Sequence, residues 1–97
     1  GRATTETIYK ALQVISKLSK VKAILVNLFG GIVRTDLVAQ AILDAYKDGM
    51  ISVPIYARIS GAESDKSKHM LSNSNAKLYD TVEEAISSLI RYIGSMK

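Results

Sequence analysis

The sequence predicts an α/β domain with a parallel sheet and helices on both of its faces. Segments whose apolar residues recur at helical spacing alternate with short apolar runs of strand length. The clearest run, residues 22–29, is nearly continuous in apolar residues, which is typical of a parallel strand covered on both faces. Strands that alternate with helices predict right-handed crossovers and parallel pairing.

Each element has its own signal, in chain order. Thr4-Thr5-Glu6 predicts the start of a first helix, whose apolar residues are Ile8, Ala11, Leu12, Ile15 and Leu18. The first strand covers residues 22–29, and Gly30-Gly31 interrupts it. Val33 then opens a second helical pattern, for which Gly49 is the predicted C-terminal cap.

The second half of the chain repeats this alternation. Residues 54–59 form the second predicted strand, with Pro54 at its first position, where a missing N–H matters least. Residues 60–63 and 81–84 both have capping-box spacing and predict two further helices, on either side of a short strand at 76–79. Three strands are few for this architecture. We therefore expect a part of the domain to precede Gly1.

Composition excludes several classes of protein. The chain has 97 residues, 13 Lys+Arg against 9 Asp+Glu, a net charge of +4 and no Cys. This length allows one domain, and the absence of Cys excludes disulfides, thiolate nucleophiles and Cys-built zinc sites. No apolar run reaches the roughly 18 residues that a membrane span needs. Basic residues lie near helix ends and aromatic residues are scattered, which favours a solvated surface over a nucleic-acid interface.

The loop after the first strand is the first candidate site. In an open parallel sheet, ligands bind beyond the carboxyl ends of the strands. Glycines followed directly by a helix N-terminus allow close approach of a phosphate or carboxylate, so we expect binding at Gly30, Gly31, Ile32, Val33 and Arg34. A tight turn with no ligand is an equally good interpretation of the two glycines. A GxGxxG dinucleotide fingerprint and a Walker phosphate loop are both excluded, because their further residues are missing.

The loop after the second strand has a similar layout. Arg58, Ser60 and Gly61 are candidate contacts there, although Arg58 is as well explained by a surface ion pair with Glu63 or Asp65. His69, the single histidine, is interpreted as a solvated residue of a helix, and Asp36 is explained by the helix dipole alone. The chain therefore has no predicted catalytic residue and no predicted metal site.

One motif is distinctive enough to indicate a family. The sequence resembles the C-terminal domain of the β subunit of succinyl-CoA synthetase (succinate–CoA ligase), which has Asn-Ile/Leu-Phe-Gly-Gly-Ile-Val-Arg-Cys-Asp where this chain has Asn27-Leu28-Phe29-Gly30-Gly31-Ile32-Val33-Arg34-Thr35-Asp36. The resemblance covers essentially the whole chain. It includes a glycine-rich segment that ends at Gly1-Arg2-Ala3-Thr4, the strand at 21–26, and Val53-Pro54-Ile55 followed by Arg58.

The resemblance implies a flavodoxin-like, three-layer α/β/α CoA-ligase domain over residues 1–97 that lacks its first two strands. It implies a part in a ligase of the tricarboxylic acid cycle that interconverts succinate, CoA and nucleoside triphosphate with succinyl-CoA, nucleoside diphosphate and phosphate. The segment from Gly30 to Arg34 would hold the phosphohistidine phosphate of an α subunit and the succinate carboxylate. ATP or GTP with magnesium would bind an upstream ATP-grasp domain, and CoA would bind the α subunit.

Three further expectations follow from the resemblance. These 97 residues alone are expected to be inactive, the partner is an α subunit in a heterodimer or heterotetramer, and the location is the cytoplasm, or the mitochondrial matrix of a eukaryote. Two departures from the family pattern leave the acid substrate open: Thr35 replaces Cys, and residues 60–63 replace Glu-Gly-Thr-Asn. A related ligase for malate or another small acid, and a stand-alone flavodoxin-like binding module, remain the alternatives.

Overall fold

The computed structural model, which describes residues 5–18 and 20–96, alternates helices and strands in the predicted order. The first four residues, which contribute to the family resemblance, lie outside this part of the chain. The elements are α1 (Thr5–Ser16), β1 (Ile24–Arg34), α2 (Thr35–Lys47), β2 (Ile55–Ala62), α3 (Ser64–Leu71), β3 (Ala76–Tyr79) and α4 (Val82–Gly94). Within the described ranges, no helix has the length and apolar character that crossing a membrane would require.

The three strands form one parallel sheet in the order β1-β2-β3, which confirms the predicted fold class. Ile24 pairs with Ile55, and Ile55 pairs with Ala76, so these three side chains share a face. The next residues along, Leu25, Tyr56 and Lys77, share the opposite face. Both faces are covered by helices, as the alternating pattern predicts.

The main core lies on the face of Ile55. The fully buried residues of α2 pack there against β2, while α1 adds Leu12 and α3 adds Leu71. On the opposite face, the ring of Tyr92 in α4 lies 6.1 Å from the ring of Tyr56, measured between centroids. Ala85 is the one residue of α4 that is fully buried, and Ile90 is 62% exposed. The helical layer on this second face is therefore thin.

The C-terminal end of α2 is closed by the predicted glycine. Gly49 has φ +71°, a left-handed conformation that L side chains rarely adopt. Its N–H donates to the carbonyl of Tyr46 at 3.1 Å, and the N–H of Met50 donates to the carbonyl of Ala45 at 3.0 Å. This pair of bonds is a Schellman motif, which satisfies carbonyls at the helix end and turns the chain back towards β2.

The observed start of α4 agrees with the prediction from the sequence, whereas the starts of α2 and α3 differ from it. Thr81 caps α4 as predicted, and its Oγ1 accepts from the backbone N–H of Glu84 at 3.2 Å. The capping box at 60–63 was wrong, because Ser60, Gly61 and Ala62 all belong to β2. The helix predicted to begin by Val33 begins at Thr35 instead.

These two differences have one cause. β1 continues beyond Phe29 through a shift in register, and Arg34 at its end pairs with Ala62 at the end of β2. Because each extension pairs with the other strand, both strands run past the predicted turn residues. Consequently, the turn between β2 and α3 is reduced to Glu63, which adopts φ +68° without a side-chain cap.

Candidate functional site

The candidate site lies at the carboxyl end of β1 and β2. β1 runs directly into α2 at Thr35, and β2 reaches α3 through Glu63 alone. Because parallel strands end at the same edge of a sheet, the N-termini of α2 and α3 lie side by side there. The positive ends of two helix dipoles therefore face the same region.

A buried carboxylate lies between these two helix ends. Asp36 is 6% exposed and accepts two hydrogen bonds from the Arg34 guanidinium, Nε to Oδ1 at 3.1 Å and Nη2 to Oδ2 at 2.7 Å. The Lys66 ammonium, from the first turn of α3, lies 3.6 Å from the same Oδ2. We call Arg34, Asp36 and Lys66 the charge cluster.

The charge cluster favours ionised groups. The Arg34 guanidinium, by its hydrogen bonds, holds the pKa of the Asp36 carboxyl below its usual value, although burial opposes this effect. The same contact raises the pKa of Arg34. The three groups of the cluster carry one net positive charge, which the Glu63 carboxylate near Arg34 offsets, and the side chains of Arg34 and Lys66 are 56% and 58% exposed. An anion in solvent therefore has access to both cations.

The orientation of Arg34 matters for that access. Arg34 binds Asp36 side-on through Nε and Nη2, so Nη1 is on the other side of the planar guanidinium. A cation at a helix N-terminus opposes the dipole unless it meets an anion or extends outward into solvent. The structure does both: Arg34 meets Asp36 and remains more than half exposed.

A second contact joins the two helix ends below the surface. The hydroxyl oxygens of Thr35 and Ser67 lie 2.6 Å apart, and both residues are fully buried. Ser67 Oγ also lies 2.9 Å from the carbonyl oxygen of Glu63. We call this contact the hydroxyl bridge.

The predicted site residues fall into two groups. Gly30, Gly31, Ile32 and Val33 form the last part of β1, with Arg34 as the N-cap residue of α2. Arg58, Ser60 and Gly61 lie within β2 and not in a loop, and Arg58 is half-buried between Asn27 and Tyr79 in the sheet register.

Three residues of the site were missed in the sequence. The sequence explains Asp36 by the helix dipole alone, and it gives no reason to single out Lys66 or Ser67. The spacing Arg34-x-Asp36 was the available signal for an ion pair, whereas Lys66 and Ser67 reach the site only through the parallel alignment of β1 and β2. His69 is exposed on α3.

The site's side chains are mainly cations and hydroxyls. Across residues 5–18 and 20–96, no three imidazole or carboxylate groups come close enough together to hold a cation. The geometry suits an anion that is held by a helix end and by cationic side chains.

Comparison with known proteins gives the family. The model of the CoA-ligase family matches residues 1–89. The chain belongs to the CoA-ligase family. The predicted resemblance to succinyl-CoA synthetase is thereby confirmed at the level of the domain.

Curated relatives of this CoA-ligase chain have consistent names. A succinate–CoA ligase [ADP-forming] subunit beta from Deinococcus deserti is 43% identical over 88 residues, which are 88% of this chain and 23% of that protein. A protein of the same name from Francisella tularensis subsp. tularensis, strain SCHU S4, is 38% identical over 96 residues, which are 97% of this chain and 25% of that protein. The chain thus spans about a quarter of the length of the curated relatives it matches.

Proposed function

We propose that this CoA-ligase domain acts within the β subunit of a succinate–CoA ligase, where it binds the phosphoryl group and the acid substrate. The enzyme would interconvert succinate, CoA and nucleoside triphosphate with succinyl-CoA, nucleoside diphosphate and phosphate. The observation that carries the proposal is the charge cluster at the N-termini of α2 and α3. The names of the curated relatives support the same reaction.

The anion would meet three sources of positive charge. The N-terminal end of α2 supplies its dipole, and Arg34 and Lys66 supply two exposed cations. Asp36 keeps the two cations in place and, through its own charge, keeps the anion on their outer side. Preorganised positive charge of this kind stabilises the charge that develops as a phosphoryl group moves between acceptors.

The backbone from Gly30 to Val33 completes the proposed site. Glycine lets a ligand approach the main chain closely, and this stretch leads directly to the α2 N-terminus. In the proposed complex, the ligand is the phosphohistidine of an α subunit, with the succinate carboxylate beside it. Nucleotide with magnesium would bind elsewhere in the β subunit and CoA would bind the α subunit, so the 97 residues alone would be inactive.

A glycine substitution in the full αβ enzyme tests this function. We expect Gly31→Val to abolish turnover of the phosphohistidine while nucleotide binding is retained, because a branched side chain displaces the phosphate from the backbone. Turnover is measured by loss of phosphate label from the α subunit when succinate and CoA are added. The matched control is Gly94→Val, at the end of α4, where an added Cβ meets no atom within 4 Å.

Two results would contradict the proposal. One is normal succinyl-CoA formation by the Gly31→Val enzyme, and the other is a full-length wild-type chain that neither binds an α subunit nor has a nucleotide-binding domain.

Malate and other small dicarboxylates are assayed beside succinate, since the changes at Thr35 and at 60–63 lie at this edge of the sheet. A preference for one of those acids would assign the protein to a related ligase.

A further inference from the structure

The hydroxyl bridge between Thr35 and Ser67 connects the two segments that carry the charge cluster. Thr35 is the first residue of α2, and Ser67 lies in the first turn of α3. Their oxygens are 2.6 Å apart, at the short end of the range for hydroxyl hydrogen bonds. Both side chains have no exposed surface, so water does not compete for this contact.

Ser67 is in contact with both ends of the bridge. Ser67 has one hydroxyl hydrogen, and the Glu63 carbonyl 2.9 Å away can only accept. Ser67 Oγ donates to Thr35 Oγ1, and the Glu63 carbonyl lies within hydrogen-bond distance of the same hydroxyl. The result is a continuous chain of hydrogen bonds from the start of α2 to the turn that precedes α3.

Each member of the bridge directly follows a cation of the charge cluster. Arg34 precedes Thr35, Lys66 precedes Ser67, and both cations converge on Asp36. A fixed distance between the two hydroxyls therefore fixes the distance between the two backbone segments from which the cations extend. Lys66 is also held by its 3.6 Å ion pair with the buried Asp36, although its own side chain is 58% exposed.

We propose that Thr35 and Ser67 are positioning residues, which set the spacing of the α2 and α3 N-termini and thereby the placement of Arg34 and Lys66 around the bound anion. This inference rests on the proposed function for its catalytic consequence. The bridge also has a structural consequence that can be tested without an activity assay: Ser67 holds the backbone of residues 34–38 rigid.

The test uses four variants of the assembled αβ enzyme: Ser67→Ala, Thr35→Val, the double variant, and Thr35→Ser, which keeps the hydroxyl. Ser72→Ala is the matched control, because it removes a hydroxyl that bonds the carbonyl of His69 at 2.7 Å at the other, exposed end of α3. For each enzyme we measure kcat, KM for succinate, circular dichroism, and amide hydrogen exchange of residues 34–38.

We expect each bridge-breaking single variant to lose about 10-fold in kcat with little change in KM, since a 1 Å misplacement can cost roughly 100-fold and a displacement of a fraction of an ångström is expected here. The double variant is expected to lose no more than either single variant, because the same contact is lost once. Thr35→Ser should stay within about 2-fold of wild type, because it retains the hydroxyl that the bridge requires. Ser72→Ala should match wild type, and exchange at 34–38 should rise only where the bridge is broken.

Several outcomes would overturn the proposal. Wild-type kcat in Ser67→Ala, losses that multiply in the double variant, or failure of Thr35→Ser to preserve activity would each do so. If the wild-type complex makes no succinyl-CoA, the proposed function fails. Hydrogen exchange alone then shows whether the bridge holds the α2 N-terminus in place. Unchanged exchange at 34–38 in both single variants would then refute it.

Discussion

Replacing Gly49 by alanine should destabilise the protein by a backbone effect alone. An added Cβ at this position meets no atom within 4 Å, so no steric clash contributes. The left-handed φ of +71° costs an L residue about 1–2 kcal/mol, and the smaller entropy of the unfolded alanine chain returns about 0.4–1 kcal/mol. The net loss is about 1 kcal/mol, which corresponds to a fall in Tm of about 4–8 °C for a domain of this size.

Two companion variants separate backbone strain from other effects. Gly94→Ala also places a Cβ in open space, but at an ordinary helical φ, so its unfolding free energy should stay the same or rise by up to about 1 kcal/mol. Gly49→Asn should recover part of the loss, because asparagine tolerates the left-handed region. Thermal and urea unfolding of the three variants give the comparison. Equal stability of Gly49→Ala and Gly94→Ala would refute the Schellman cap.

Two further predictions concern pH. Because the pKa of Asp36 is lowered in the folded protein, its stabilising contribution is present above about pH 4 and is lost as the pH falls through the lowered pKa. In Asp36→Asn, the free energy of urea unfolding should therefore fall less steeply as the pH is lowered. An unchanged acid dependence would contradict the ion pair. Burial raises the pKa of Tyr46 to about 12, so the free energy of unfolding should fall as the pH rises from about 10 to about 12. Tyr46→Phe should remove the increase in phenolate absorbance near pH 12. If that increase persists, it belongs to another tyrosine.

The fold could be predicted because its signals are local. Apolar periodicity gave the order of all seven elements, and the residues that cap α4 and end α2 were visible as Thr81 and Gly49. Each of these features depends on neighbours within a few positions along the chain. A single sequence is sufficient for such patterns.

The site was only partly predictable because its contacts are not local. The sequence places the segment from Gly30 to Arg34 after the first strand, whereas the structure has it as the last part of β1. The start of α2 at Thr35 depends on pairing between Arg34 and Ala62, which belong to different strands. The hydroxyl bridge joins residues 32 positions apart. Glu63 adopts its left-handed conformation because β2 extends to Ala62, a tertiary effect that overrides the capping-box spacing.

The thin helical layer on the Tyr56 face has a consequence for folding dynamics. α4 buries only Ala85 completely, while Ile86, Ile90 and Ile93 remain 38%, 62% and 36% exposed. The parallel strands and α2 hold the remaining core without it. Detachment of α4 is therefore a partial opening of lower free energy than global unfolding. In that open state, the phenol of Tyr56 loses its contact with Tyr92 and meets water, while the hydroxyl bridge and the charge cluster on the other elements remain intact.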